Sequence, residues 1–491
     1  PEYPQERIST ILKDAGINVL LTKAVNLSHL NGQKAEPLCL DNDWDRISAY
    51  STESFEYPGK PDSLAYVIYT SGTTGRPKAV MIEHKDLAEH ILSIIPIYNH
   101  TERDTLLQFA SFSFDVSIEH IFTTLLSGAT LVIRGENDID PKNLISLCEQ
   151  HAVTSINLPP VLLENMFARC EDRIKQLRQL RLIVSGGDRF PTELLSKLND
   201  PVYDRIQILN AYGPTETTIT STIYDMSEHR SEKLNLEPPI GKPVGARKAY
   251  ILDKFGNIQP TGIPGELLIG GTGVGRGYLN RPELTAEKFI DNPFGEGRLY
   301  RTGDLARWLP DGNIEFLGRI DHQIKVRGFR IEPGEIEHAL GTLGIDNAIV
   351  AAKEDNNGSK QLIAWTLQSD PFEDNWATIK SKLSDSLPEY MIPAAFVQME
   401  KFPLTSSGKI NRKALPDPDF TEMQKVYIAP RNSIEETLAD IWQEVLGIDK
   451  IGIHDNFFEL GGHSLLATQV VSRIRISFSQ ELSLRAFFQK P

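Results

Sequence analysis

The sequence predicts an α/β protein carrying three further parts: a β-rich unit, a compact α+β unit and a terminal helical unit. Three observations lead there. Short apolar runs alternate with amphipathic stretches over residues 64–211, and short strands punctuated by glycine and proline run from 248 to 318. A polar, proline-bracketed stretch then precedes an amphipathic helix past residue 431. A chain of 491 residues fits about three domains at roughly 150 residues each.

In the first part, 64–69 (LAYVIY), 129–133 (ATLVI), 155–158 and 180–184 read as buried strands, with a helix over 192–198. That order places ligand loops at the carboxyl ends of a sheet. Turn pairs Gly256-Asn257 and Pro264-Gly265 divide the β-rich part. Pro333 leads a helix over 334–343, and 348–353 pairs with 361–367 across Asn356-Asn357-Gly358. Residues 417–431, bracketed by Pro416, Pro418 and Pro430, read as a linker. Ser433 and Glu436 match a capping box, and Ile434, Leu438, Ile441, Trp442 and Val445 share one helical face.

Composition excludes several functions. Lys and Arg total 51 against 66 Asp and Glu, a net charge of −15, which argues against nucleic-acid binding through a broad basic face. No run reaches the roughly 18 to 20 apolar residues of a membrane span. Cys39, Cys148 and Cys170 are odd in number and far apart, which argues against a disulfide scaffold or a cysteine-rich metal site. They fit a reducing cytosol, so a cytoplasmic location is expected. With Pro1 first and no basic, apolar leader, the chain reads as a piece of something longer.

The most informative segment is Thr70-Ser71-Gly72-Thr73-Thr74-Gly75-Arg76-Pro77-Lys78, directly after an apolar strand. Glycines let backbone approach a polyphosphate, hydroxyls and N–H groups donate to it, and Lys78 adds a point charge. The spacing is not that of a Walker loop. Four further strings complement such a site. Asn210–Glu216 (NAYGPTE) offers an aromatic face and a carboxylate, and Tyr300–Asp304 (YRTGD) offers a second carboxylate. Residues 318–328 are rich in cations, and Ser407–Arg412 sets Lys409 beside a glycine turn. Taken singly, each is an ordinary solvated loop, cap or surface ion pair.

Together and in this order, these strings resemble the adenylation domain of non-ribosomal peptide synthetases, within the superfamily that also holds acyl-CoA synthetases and luciferases. The resemblance runs from residue 1 to about 417. The last unit resembles a peptidyl carrier domain through Asp455–Leu465 (DNFFELGGHSL). It implies an N-terminally truncated adenylating core of α/β subdomains and a small β-barrel (1–320), an α+β subdomain (321–417), a linker (418–430) and a C-terminally truncated helical carrier (431–491). Thr70, Ser71, Gly72, Thr73, Thr74, Gly75 and Lys78 would hold ATP phosphates. Tyr212 would stack on adenine, Glu216 would help hold Mg²⁺, and Asp304 would take the ribose hydroxyls. Arg319 would lie by the ribose and α-phosphate, with Thr215 and Lys325 completing the nucleotide site. Asp321 would be the hinge for the small subdomain, Lys409 would bind substrate carboxylate and α-phosphate, and Ser464 would carry 4′-phosphopantetheine. Gly461 and Gly462 would keep the approach to it open.

Lys409 also has a physical case. Carboxylate attack on phosphate brings two anions together, and a cation about 4 Å away offsets that by about 4 kcal/mol at an effective dielectric near 20. Aligned by neighbouring motifs, Asp115 would hold an α-ammonium in a pocket lined by Val116, Glu119, Asn157, Ile183, Ser185, Ala211, Ile219 and Thr220. A carboxylate buried at Glu119 costs several kcal/mol unless a partner neutralises it. A cationic substrate side chain is the simplest partner, so a basic amino acid (ornithine, lysine or arginine) is expected, with Asn157 and Ser185 as neutral hydrogen bonders. The alternative is that Glu119 pairs with a nearby protein cation or points to solvent, leaving room for a polar or aromatic substrate.

The resemblance implies partners too: a phosphopantetheinyl transferase, condensation and neighbouring carrier domains, and in some members a small activator protein. Nucleic acid and membrane are not expected. Family members carry roughly a hundred residues before the point matching Pro1, so uncovered apolar faces and low stability are expected. Ala79 replaces a usual glycine. Rival readings are an acyl-CoA ligase, disfavoured by Asp115 and the fused Ser464 unit, and an inactive nucleotide-binding scaffold, disfavoured by Lys409, Glu216 and Asp304.

Overall fold

The computed structural model describes residues 3–30, 34–55, 58–72, 75–229, 237–326, 328–354, 360–367, 376–404, 410–418, 428–448, 450–457, 460, 462, 464–478, 480, 482 and 487. Two compact units divide the chain: residues 1–72, 76–136 and 141–330 form the larger, and 73–75, 137–140 and 331–491 the smaller.

A seven-stranded sheet organises the larger unit. Its spatial order is Lys242–Pro243, Thr222–Asp225, Gln207–Tyr212, Leu182–Gly186, Ser155–Leu158, Thr105–Gln108 and Thr130–Ile133. The last five run parallel, and the first two join through antiparallel pairings. Helices Val116–Leu126 and Pro160–Gln176 follow strands Thr105–Gln108 and Ser155–Leu158 as crossovers. A central strand in such a sheet is covered on both faces, so both side-chain parities are apolar. In Leu182–Gly186, Ile183 joins a cluster with Leu163, Phe167 and Tyr203, while Leu182 and Val184 join one with Ile94, Tyr98 and Leu209. Burying each such side chain contributes about 1.5–3 kcal/mol. Ser185 and Ala211 fall at the carboxyl ends of neighbouring strands, where Ser185 pairs with Asn210 and Gly186 with Ala211.

The strand expected over 64–69 forms as Leu64–Thr70 but belongs elsewhere. It pairs antiparallel with Lys78–Glu83, in a three-stranded sheet completed by Gly277–Tyr278. Most of its residues are only half buried. Thr70 pairs with Lys78, so the two ends of the expected phosphate loop are held side by side. Past residue 246, Arg247–Leu252, Gly265–Gly271, Arg298–Trp308, Phe289–Asp291 and Ile314–Arg319 make a five-stranded antiparallel sheet. Helix Val116–Leu126 and edge strand Thr130–Ile133 expose Phe122, Leu125, Leu126 and Ile133.

The smaller unit begins with helix Pro333–Thr342, Pro333 sitting at its first turn where no N–H is needed. Ile349–Glu354 and Lys360–Leu367 pair antiparallel, and Ala395–Met399 adds in parallel over a core with Trp365 fully buried. Helix Ser433–Leu446 is capped by Asn432 and not by Ser433: the Asn432 side chain accepts from the N–H groups of Ile434 at 3.1 Å and Glu435 at 3.0 Å. Ile434 is exposed, and the helix buries Ala439, Ile441 and Val445. Trp442, Phe457 and Phe487 meet edge to face in this core, and Ser464–Phe478 supplies its second helix.

Candidate active site

Three clusters of polar residues occupy the larger unit. The first is built on the short turn Thr215–Thr217, directly after Gln207–Tyr212. Glu216 is fully buried, and its carboxylate accepts from Arg330 Nη1 at 2.7 Å and from the Tyr278 hydroxyl at 2.7 Å. Lys78 Nζ lies 3.3 Å from the same carboxylate, 3.3 Å from the Tyr278 hydroxyl and over the Tyr278 ring. Burial alone would raise the Glu216 carboxyl. Arg330 and Lys78 outweigh that and hold it far below the ordinary carboxylate range. The Ser71 hydroxyl donates to the Arg330 carbonyl at 2.8 Å, and that of Thr70 to the Lys78 carbonyl at 3.4 Å, so the loop is tied to the same cluster. Gly75 adopts φ +79°, and Gly72 is also among the described residues. Thr73 and Thr74 lie outside them.

In the second cluster, the Tyr212 hydroxyl donates to Asp304 Oδ2 at 2.5 Å, and Arg319 Nη1 donates to Asp304 Oδ1 at 2.8 Å. Arg319 also forks onto Asp321, with Nε 2.6 Å from Oδ1. The Lys325 ammonium sits 5.8 Å from the Tyr212 ring centroid, and burial pulls it below its ordinary value.

The third cluster is the pocket expected for the amino acid. Asp115 precedes helix Val116–Leu126 without capping it. It is buried, which lifts its carboxyl from 3.8 to about 6 despite a hydrogen bond from Thr215, with Glu119 adding to the rise. Asn157, Ile183, Ser185 and Ala211 lie on three adjacent parallel strands. Ser185 donates its hydroxyl proton to the Leu158 carbonyl at 2.8 Å, so it offers a substrate only its lone pairs. Val116 is half buried at the first helical position, and Ile219 and Thr220 are buried.

Glu119 corrects the sequence reasoning. It is fully buried, as expected, but its neutralisation comes from inside the protein. It accepts from His90 Nε2 at 2.8 Å, the Tyr98 hydroxyl at 2.8 Å and the Thr220 hydroxyl at 3.0 Å. Arg247 Nη2 in turn meets His90 Nδ1 at 3.1 Å. Burial favours neutral forms in both partners; it leaves His90 lowered, whereas the hydrogen bond from His90 holds Glu119 below its ordinary value. The consistent state is an uncharged imidazole donating to an ionised carboxylate, with Arg247 as the counter-charge. A cationic substrate is therefore not required to make this burial tolerable.

Lys409 lies outside the described residues. Ser464 opens helix Ser464–Phe478. Gly462, two residues before it, is needed for packing: a Cβ there would lie 2.4 Å from the Phe457 ring and from its carbonyl oxygen, while Gly461 lies outside the described residues. Sequence reasoning missed Arg330, Tyr278, His90 and Arg247. Arg330 stands two residues past the cation-rich 318–328 string, and that string was signal enough to reach it. The others gave no local signal.

The first cluster suits a nucleotide with Mg²⁺. Mg²⁺ takes one or two carboxylates plus phosphate oxygens, not an all-protein cage; Glu216 would offer it one ionised carboxylate, and Arg330 and Lys78 beside it suit the phosphates. Among the described residues, no group of three or more His, Cys, Asp or Glu could enclose a metal.

Comparison with known proteins gives two family matches: AMP-binding enzyme over residues 1–279, and phosphopantetheine attachment site over 436–491. The chain is 42% identical over 495 residues to bacitracin synthase 3 of Bacillus licheniformis, a match that takes in all of this chain but 8% of that protein. It is 44% identical over 498 residues to tyrocidine synthase 1 of Brevibacillus parabrevis, spanning 44% of it. It thus spans less than two thirds of either relative. Among solved structures, a holo NRPS protein containing adenylation and PCP domains, bound to a vinylsulfonamide inhibitor, aligns at TM-score 0.79 and 26% identity over 97% of this chain and 78% of that one. A four-domain nonribosomal peptide synthetase bound to AMP and glycine aligns at TM-score 0.56 and 33% identity, over 99% of this chain and 35% of that one. With its ionised carboxylate between two cations and a helical unit opening on Ser464, the chain belongs to the AMP-binding enzymes, as an adenylating ligase domain of the non-ribosomal peptide synthetase kind joined to a carrier with a phosphopantetheine attachment site.

Proposed function

We propose that this chain activates an α-amino acid as its aminoacyl adenylate and passes the acyl group to the carrier at Ser464. One observation carries the reading: consecutive residues of a single turn contact both the expected ammonium site and the expected phosphate site. Thr215 hydrogen-bonds Asp115, while Glu216 pairs with Arg330 and Lys78. An ammonium on Asp115 is thereby set next to a polyphosphate seat. A substrate carboxylate oxygen attacks the α-phosphorus, the bond to the β-phosphate oxygen breaks, and pyrophosphate leaves. Lys78, Arg330 and Lys409 offset the charge that develops, and positioning does the remainder. Mg²⁺ on Glu216 would supply further phosphate neutralisation. The arm on Ser464 would supply the thiol that takes the acyl group as AMP departs. Tyr212, Asp304, Arg319, Thr215 and Lys325 would hold adenine, ribose and α-phosphate, and the loop from Thr70 to Lys78 the remaining phosphates. Asp321 would be the hinge of a subdomain spanning 321–417, after a core at 1–320 and before a linker at 418–430 and a carrier at 431–491.

For the side chain, a second buried carboxylate, Glu119, beyond the one that takes the α-ammonium, supports a basic substrate: ornithine, lysine or arginine. Asn157 would lend a polar contact, and Val116, Ile183, Ala211, Ile219 and Thr220 the walls. A second reading, an uncharged side chain, is favoured by the three internal partners that Glu119 already has. Amino-acid-dependent pyrophosphate exchange across a panel separates them: a basic residue among the best substrates supports the first, and its absence sinks it. In the wider synthetase we propose a phosphopantetheinyl transferase, condensation domains, neighbouring carriers and a small activator protein as partners, in the cytoplasm. Ser464→Ala should leave exchange intact and abolish covalent loading seen by mass spectrometry. Loading that persists would refute the carrier assignment.

A further inference from the structure

The loop that ends the amino-acid pocket has an unusual backbone. Thr218 and Ile219 both adopt left-handed φ, +58° and +67°, although both are β-branched. Such residues are rare in that region and persist only where surroundings over-determine them. The restraint comes from Arg247, a buried residue at the start of strand Arg247–Leu252. Its Nη2 donates to the Thr218 carbonyl at 2.9 Å and lies 3.3 Å from that of Thr217, while Nε lies 3.4 Å from the Thr217 carbonyl. The same Nη2 reaches His90 Nδ1, whose ring donates onward to Glu119. Space for the guanidinium depends on Gly273, where a Cβ would fall 2.6 Å from Nη2. The Thr218 hydroxyl donates to the Gly273 carbonyl at 2.7 Å and closes the ring of contacts.

We propose that Arg247 is a positioning residue for substrate selection, holding the strained Thr218–Ile219 backbone and, through His90, the orientation of Glu119. Its hydrogen bonds reach the expected lining by these two routes. One nitrogen, Nη2, therefore meets two walls at once: the Thr218–Ile219 edge and, through His90, the Glu119 carboxylate. Lysine is not equivalent, because it loses the Nε contact to the Thr217 carbonyl and the rigid plane that holds Nη2 in place. Burial pulls the Arg247 guanidinium below its ordinary value, while Glu119, Glu89 and Asp86 favour its charged form.

This inference rests on the amino-acid-activating reading, and its test reports on the two separately. In the full chain, Arg247→Gln and Arg247→Lys should raise the KM for the best amino acid by about tenfold or more and compress the differences across the panel. The KM for ATP should stay within about twofold. His90→Gln, whose amide donates to one side and accepts from the other, should retain several-fold more discrimination than His90→Leu. A purely structural Arg247 would instead lower the active fraction evenly, with amino-acid KM and preferences unchanged, and that result overturns the proposal. The second readout needs no turnover. Histidine ¹⁵N spectra of labelled protein should show His90 as a neutral Nε2–H tautomer in the wild type, and titratable near neutral pH in Arg247→Gln. An unaltered His90 signal in that variant overturns the proposal even when its activity is lost. Wild-type protein that exchanges pyrophosphate with no amino acid refutes the function above, while the spectra still decide whether Arg247 governs His90.

Discussion

Asp115→Asn should make the larger unit more stable while ending amino-acid activation. Burial lifts the Asp115 carboxyl from 3.8 to about 6. A shift of that size stores about 3 kcal/mol against folding whenever the group is ionised in both states. The sign follows from the raised folded value. Below the unfolded value both states are protonated and nothing is lost; between the two values stability falls as pH rises; above about 6 the full cost is present. Asparagine removes the charge and keeps an oxygen for the Thr215 hydroxyl. At pH 7.5 the variant should therefore gain about 3 kcal/mol, several degrees in thermal midpoint, and at pH 5 roughly half of that. Denaturant titrations at both pH values measure it, with pyrophosphate exchange in parallel. In the wild type, an arriving ammonium relieves the stored cost, so kcat/KM for the amino acid should fall as pH drops through 6. A variant no more stable than wild type at pH 7.5, or an advantage that does not shrink toward pH 5, would show that Asp115 is not held as an uncompensated buried carboxylate.

Other perturbations have equally definite outcomes. Arg330→Met breaks a buried pair and leaves Glu216 with Lys78 and the Tyr278 hydroxyl, which should cost about 3–5 kcal/mol by denaturant titration and raise the KM for ATP more than that for the amino acid. His100 and His120 are both lowered to about 4 by burial, and neither His120 ring nitrogen has a hydrogen-bond partner among the described residues. Their unfolded forms take up protons that the folded forms refuse, so stability should be complete above pH 6.5, fall by up to about 3 kcal/mol per histidine between 6.5 and 4, and then level off. His120→Leu should flatten that slope; an unchanged slope from pH 7 to 5 refutes the assignment. Lys409→Ala should lower kcat for adenylation by about a thousandfold, the equivalent of about 4 kcal/mol, with the amino-acid-free chain equally stable to heat.

What could be read in advance was what lies close together in the chain. The phosphate loop, the Asn210–Glu216 string and Asp115 all announce themselves through contiguous residues, and the structure puts Thr215 and Glu216 between Asp115 and the cations. What escaped depends on distant pairing. Glu119 is satisfied by His90, Tyr98 and Thr220, which come from another helix and from a loop far along the chain, so its expected burial looked like a demand on the substrate. The run at 64–70 was legible as a strand, but its sheet was not, because Lys78–Glu83, the neighbour that claims it, begins on a charged residue. Asn432 and Ser433 are both good caps. The extended backbone of Asn432 (φ −153°, ψ 168°) decided between them, and periodicity carries no trace of that choice.

The route from Arg247 through His90 to Glu119 bears on how such assembly lines are re-engineered. A transplant that exchanges only the lining positions of one pocket for those of another would import or delete a carboxylate on a helix while leaving its counter-ion behind on a distant strand. Chimeras whose crossover points keep residues 90 to 247 together inherit the acid and its balance as one inseparable cassette.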